Sequence, residues 1–133
     1  MNTINEDALV AFVFSYYHQS LLGSERAMRF VAALRFDDPD LVERLYLGYA
    51  DRTLGQQLPD DSTATGAAIR GMLRHLGLLK PSGHEYLRGC VVLPLVHIDR
   101  RIVGAYAFRV GVFEKRKCLE PVSWVRHLTE ERP

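Results

Sequence analysis

The sequence predicts an α+β fold: an N-terminal helical cluster packed on a small antiparallel sheet that contains a β-hairpin at about residues 90–110. Three observations predict it. Residues 6–80 place apolar side chains at helical spacing between recognisable caps. Residues 90–98 form an apolar, β-branched run containing Val91, Val92, Leu93, Leu95, Val96 and Ile98. A tight turn at Asp99-Arg100 then returns the chain along residues 101–110. At 133 residues, with 47% hydrophobic and 25% charged side chains, the chain has the size and make-up of one folded domain. Residues 1–133 are read as a single domain, with a helical part at about 6–80 and a hairpin-and-sheet part at about 86–128.

The first helix is expected over 6–22. Asn5 is its N-cap, Glu6 and Asp7 favour the positive end of the helix dipole, and Gly23 stops it. Leu9, Phe12, Val13, Tyr16 and Tyr17 read as its buried face. Ser24 caps a second helix lined by Ala27, Phe30, Val31 and Leu34. Asp38 followed by Pro39 starts a third, lined by Leu41, Val42, Leu45 and Tyr46. These three helices are expected to pack as a bundle. Residues 47–54 break the helical period and read as a short extended piece and a loop. A fourth helix is expected over 64–76, with Gly77 as its stop. In the strand at 90–98 both faces are expected to be buried, and Pro94 demands an edge position or a bulge. Residues 122–128 read as a third strand or a short helix.

Composition excludes several classes. Cys90 and Cys118 have no second Cys or His at ligand spacing, so neither a zinc site nor any other metal or cofactor is expected. No apolar run reaches the roughly 20 residues of a membrane span. The acidic start does not read as a signal peptide. A reducing, cytoplasmic setting without membrane contact is therefore expected. The net charge of +1 is unevenly spread. Residues 1–66 hold five arginines against ten acids, whereas residues 67–133 hold twelve basic residues against six acids. The second half thus offers a surface to an anionic partner.

Three passages, in this order, resemble the N-terminal subdomain of the catalytic core of bacterial-type DNA primases, especially primase-like proteins of mobile elements. They are Leu47-Gly48-Tyr49-Ala50-Asp51-Arg52-Thr53-Leu54-Gly55 with Leu58-Pro59, then Ser82-Gly83-His84-Glu85-Tyr86-Leu87-Arg88-Gly89. The third is Val91-Val92-Leu93-Pro94-Leu95 with Arg101-Ile102-Val103-Gly104-Ala105-Tyr106. The likeness covers about residues 8–110, and the proline-bearing hairpin is its most specific part. Within residues 1–133 no segment is expected to form the family's preceding zinc finger or its following fold, whose catalytic Glu and Asp-X-Asp pair hold metal ions. Ala107 and Phe108 replace part of a usually basic pattern, which leaves Arg109 as its charge, and Cys90 stands where relatives often carry a polar or basic residue.

The resemblance implies that Arg88 and Arg109, with Arg52 as a weaker third, face single-stranded template. From the residues alone, Arg70, Arg74, Arg100 and Arg101 would extend the patch, and Tyr86 or Tyr106 would stack on bases. Lys115-Arg116-Lys117 is a further cationic cluster. His84 and Glu85 lack an accompanying nucleophile, and no catalytic residue is expected. The resulting expectation is a non-catalytic accessory domain related to DNA primase, binding single-stranded nucleic acid or assisting a replication protein. The other reading is a protein-interaction module of a phage or mobile element. It would be a decoy, inhibitor or adaptor, such as an anti-defence protein, acting on a protein or nucleic-acid-handling complex.

Overall fold

A computed structural model describes residues 5–36, 38–111 and 121–126. Helix α1 (Glu6–Leu22) opens with the Asn5 side chain accepting the Ala8 N–H at 3.0 Å. In α2 (Glu25–Ala33) Ser24 does the same for Ala27, and in α3 (Pro39–Leu45) Asp38 accepts the Asp40 N–H. The backbone then forms strand β1 (Gly48–Tyr49), a 3-10 turn at Leu54–Gln57, and α4 (Ala64–Leu76), which is capped by Thr63 and ended by Gly77 at φ +85°. Strands β2 (Cys90–Val96), β3 (Ile102–Arg109) and β4 (Val122–Val125) complete an antiparallel sheet in the order β1-β2-β3-β4. The third-strand reading of the segment from residue 122 holds over those four residues.

The first three helices pack together as expected, through Leu21 of α1, Phe30 and Val31 of α2 and Val42 of α3, and the helices also cover both faces of the sheet. On one face Val92, Ala105, Ala107 and Trp124 pack with Val10, Val13, Phe14 and Tyr17 of α1 and with Leu73 and Leu76 of α4. The small Ala105 and Ala107 make room for aromatic packing between Phe14 and Trp124, whose centroids lie 5.6 Å apart. On the other face Val91 meets Phe30 and Val31 of α2 and Val42 of α3. The reason α1 lies so close to the sheet is Gly48: a Cβ there would sit 2.7 Å from the Tyr17 Cβ and 2.9 Å from its carbonyl carbon.

Two burial expectations are corrected. Phe12 is exposed, and the buried stripe of α1 runs through Val10, Val13, Phe14, Tyr17 and Leu21. Because α1 is apolar nearly all round, its periodicity does not choose between neighbouring stripes. Strand β2 is buried on both faces only in its first half; Leu95 and Val96 are exposed and Ile98 is 93% exposed. Pro94 has both features the sequence demanded. β1 reaches only to Val92, so β2 has no partner on that side at Pro94, and a bulge follows between Leu95 and Val96. The hairpin loop is longer than two residues: His97 N–H bonds the Arg101 carbonyl, with Arg100 at φ +76° inside.

Candidate nucleic-acid interface

The chain leaving β1 turns sharply at Arg52. The Asp51 carboxylate accepts both the Thr53 N–H (3.1 Å) and the Thr53 hydroxyl (2.5 Å), and this pins the apex residue Arg52 at φ +73°. One residue on, Leu54 N–H donates to Oε2 of Glu85 at 3.2 Å. The other oxygen of Glu85 accepts the Tyr17 hydroxyl at 3.0 Å. Glu85 is buried, which pushes its carboxyl pKa up, while the bonds from Tyr17 and Leu54 and the Arg52 charge oppose the shift. This carboxylate is a structural acceptor that fixes the loop. The His84 ring turns away from it to bond the Ser82 hydroxyl in an exposed turn.

Opposite Arg52 lies Gly89, at φ +79°. Its N–H bonds the Ala50 carbonyl at 2.7 Å and its own carbonyl accepts the Val110 N–H at 3.0 Å. Gly89 thus ties the end of β3 to the segment after β1. Arg109, the last residue of β3, pairs with Cys90 in register. Nη2 of Arg52 and Nη1 of Arg109 lie 3.2 and 3.6 Å from the point a Gly89 Cβ would occupy. Arg52 also lines a cavity of about 150 Å³ with Arg88, Gly55, Gly83, His84 and Glu85. Two guanidinium groups, those of Arg52 and Arg109, therefore meet over one glycine, and Arg88 lies beside Arg52 on the cavity wall. Among the described residues none of the three lies within 4.0 Å of a carboxylate. Beneath them Cys90 is buried. Burial raises its thiol pKa, and the Arg109 and Arg52 charges pull the other way.

The remaining arginines do other work. Arg70 donates to the carbonyls of Pro59 (3.0 Å), Gly55 (3.0 Å) and Leu58 (3.4 Å), so it ties down the loop before α4. Arg74 lines a separate apolar groove with Leu76 and Trp124. Arg101 pairs with Asp99 at 2.8 Å in the hairpin loop, next to the exposed Arg100. Tyr86 donates its hydroxyl to the Ser123 carbonyl at 3.0 Å. Tyr106 alternates with Ala105 and Ala107 and so projects from the sheet face opposite α1, away from the arginine cluster. The Lys115-Arg116-Lys117 cluster and Cys118 lie outside the described residues.

Geometrically, the cluster can bracket anionic oxygens from two sides: guanidinium forks are suited to phosphate, and two like charges held together favour an anion between them. The structure gives Arg52 a more central place than the sequence did. The missed signals are Asp51 two residues before Thr53, which makes the turn, and a glycine directly after Arg88.

No protein-family model matches the sequence, and no curated protein matches it. Solved structures do. The DnaG catalytic core superposes with a TM-score of 0.72 at 15% identity, over 92% of this chain and 38% of that one. The fold is that of part of a DnaG-type primase core. A DnaG primase catalytic domain bound to single-stranded DNA matches with a TM-score of 0.68 at 16% identity, over 94% of this chain and 39% of that one. The RNA polymerase domain of the Mycobacterium tuberculosis primase DnaG, in complex with double-stranded DNA, matches with a TM-score of 0.68 at 18% identity, over 95% and 40%. The chain thus spans about two fifths of the primase structures it resembles. No helix among the described residues is long and apolar enough to cross a membrane.

Proposed function

We propose that this chain is a non-catalytic accessory domain, the counterpart of the N-terminal part of a DNA primase catalytic core, which binds single-stranded nucleic acid through Arg52, Arg88 and Arg109. The observation that carries this reading is the meeting of Arg52 and Arg109 over Gly89 without a carboxylate partner among the described residues. Holding like charges together in a rigid frame is unfavourable unless an anion occupies the gap. Phosphodiester oxygens fit it, and a similar fold binds single-stranded DNA in one of the primase structures. Glu85, the carboxylate beside the cluster, accepts from Tyr17 and Leu54, and in this reading it holds the loop.

The test is fluorescence anisotropy with a labelled 15-nucleotide oligothymidine in 50 mM salt. Saturable binding is expected, weakened about 150-fold by the Arg52→Gln, Arg109→Gln double variant, at roughly 1.5 kcal/mol for each charged contact removed. Undiminished binding by that variant overturns the assignment of the site, and no binding by the parent chain overturns the function. A primer-synthesis assay with nucleoside triphosphates is expected to give no product.

A further inference from the structure

A second surface, remote from the arginine cluster in its chemistry, lies along β4. β4 ends the sheet, so one of its edges has no strand partner among the described residues. The register shows which groups face outward. Arg126 N–H bonds the Val103 carbonyl, so Trp124 and Val122 also bond inward to β3 while Ser123 and Val125 present their N–H and C=O groups outward. Tyr86 takes one of these, the Ser123 carbonyl, at 3.0 Å. Among the described residues the Ser123 N–H and both backbone groups of Val125 remain unpaired. Natural sheets blunt open edges with Lys, Pro, bulges or very short strands. The opposite edge of this sheet is a two-residue strand; β4 is also short, four residues following Pro121, but its outward-facing Val125 is 66% exposed.

Beside this edge runs a groove of about 820 Å³. Its apolar walls come from Leu76, Leu79, Pro81, Trp124 and Val125. Its rim carries Arg74 and Lys80, and no acidic residue lines it among the described residues. Arg74 keeps an unpartnered Nε among the described residues. We propose that this edge and groove dock an extended acidic peptide segment of a partner protein, which adds a strand to β4. One of its apolar side chains enters the groove and its carboxylates meet Arg74 and Lys80. Backbone pairing supplies attachment, and the groove with its two cations supplies selectivity. The charge complementarity decides between occupants: a nucleic acid would gain the cations but no use of the strand edge, and a basic or neutral strand would leave the cations unpaired.

The probe is a fluorescein-labelled nonapeptide that alternates aspartate with leucine or valine. Controls carry lysine in place of aspartate, or a central proline. The parent chain is expected to bind the acidic peptide with a dissociation constant of tens of micromolar and each control at least tenfold more weakly. Val125→Pro removes an outward N–H and no bond to β3, so it should preserve the thermal melt and cut binding at least tenfold. Arg74→Gln with Lys80→Gln, which leaves the backbone alone, should cut binding several-fold while leaving oligothymidine binding unchanged. Equal binding of the lysine control, or unaltered binding by a folded Val125→Pro chain, overturns the proposal. So does sedimentation of the parent chain as a dimer that Val125→Pro dissolves, since a second copy would then own the edge.

Discussion

If Arg52, Arg88 and Arg109 each neutralise one phosphate, the salt dependence of binding is fixed in advance. Single-stranded nucleic acid releases about 0.7 counterion per phosphate neutralised, so three contacts give a slope of about −2 in log K against log salt. Raising salt from 50 to 200 mM should then weaken binding about 20-fold. The Arg52→Gln, Arg109→Gln variant keeps one contact, so its slope should fall to about −0.7 and its loss over the same range to about threefold. Arg101→Gln is the matched control. Its guanidinium already pairs with Asp99 at 2.8 Å in the hairpin loop, and removing it should leave the slope unchanged. The assay is anisotropy titration at four salt concentrations. A parent slope shallower than −1, or a double variant with the parent slope, refutes the placement of phosphates on this cluster.

Three further outcomes follow from the fold. Gly48→Ala forces a Cβ to within 2.9 Å of the α1 backbone at Tyr17, and should cost about 2 kcal/mol by urea denaturation, a typical overpacking penalty. Arg100→Gly relieves a left-handed backbone at φ +76° in an exposed loop, and should raise stability by about 0.5–1 kcal/mol, the left-handed penalty less the glycine entropy cost. Glu85 has a raised carboxyl pKa in the folded state, chiefly through burial. As pH climbs through the ordinary carboxylate range the unfolded chain ionises first, so the contribution of this group to stability is full below that range and is lost as pH rises through the folded pKa. Glu85→Gln should remove that fall, and parallel pH–stability curves for the two chains would contradict it.

Much of the chain announced itself locally. Asn5, Ser24, Asp38 and Gly77 mark helix ends because a cap needs only its own side chain and a backbone two or three residues away. The hairpin was legible for the same reason, and the proline inside it located the end of β1 pairing. What stayed hidden depends on contacts between distant segments. Gly48 reads as a loop glycine until α1 is seen pressing on it, and Glu85 reads as a turn residue until Tyr17 and Leu54, remote in sequence, are found on its two oxygens. The arginines divide in the same way. Periodicity sets Arg70 and Arg74 on one flank of α4, but only the fold shows that Arg70 holds three loop carbonyls while Arg74 faces an apolar groove.

Asp51 separates two accounts of the arginine cluster, because it offers a change in charge and a change in geometry that can be uncoupled. Its carboxylate accepts from Thr53 and holds Arg52 at φ +73°, a left-handed backbone that costs an ordinary residue about 1 kcal/mol. Asp51→Asn and Asp51→Ala both raise the net charge by one. If binding were a matter of total positive charge, both would tighten it equally. If the turn positions the guanidinium, the two part ways. Asparagine keeps an oxygen for the Thr53 N–H and should bind as well as the parent chain or better. Alanine releases the turn, lets Arg52 relax away from Gly89, and should bind about fivefold more weakly despite its added charge, as loss of the two Thr53 hydrogen bonds at about 0.5 kcal/mol net each implies. Equal affinities for the two variants would mean that Arg52 contributes only as a diffuse charge, and that the meeting of Arg52 and Arg109 over Gly89 is not what binds the phosphate.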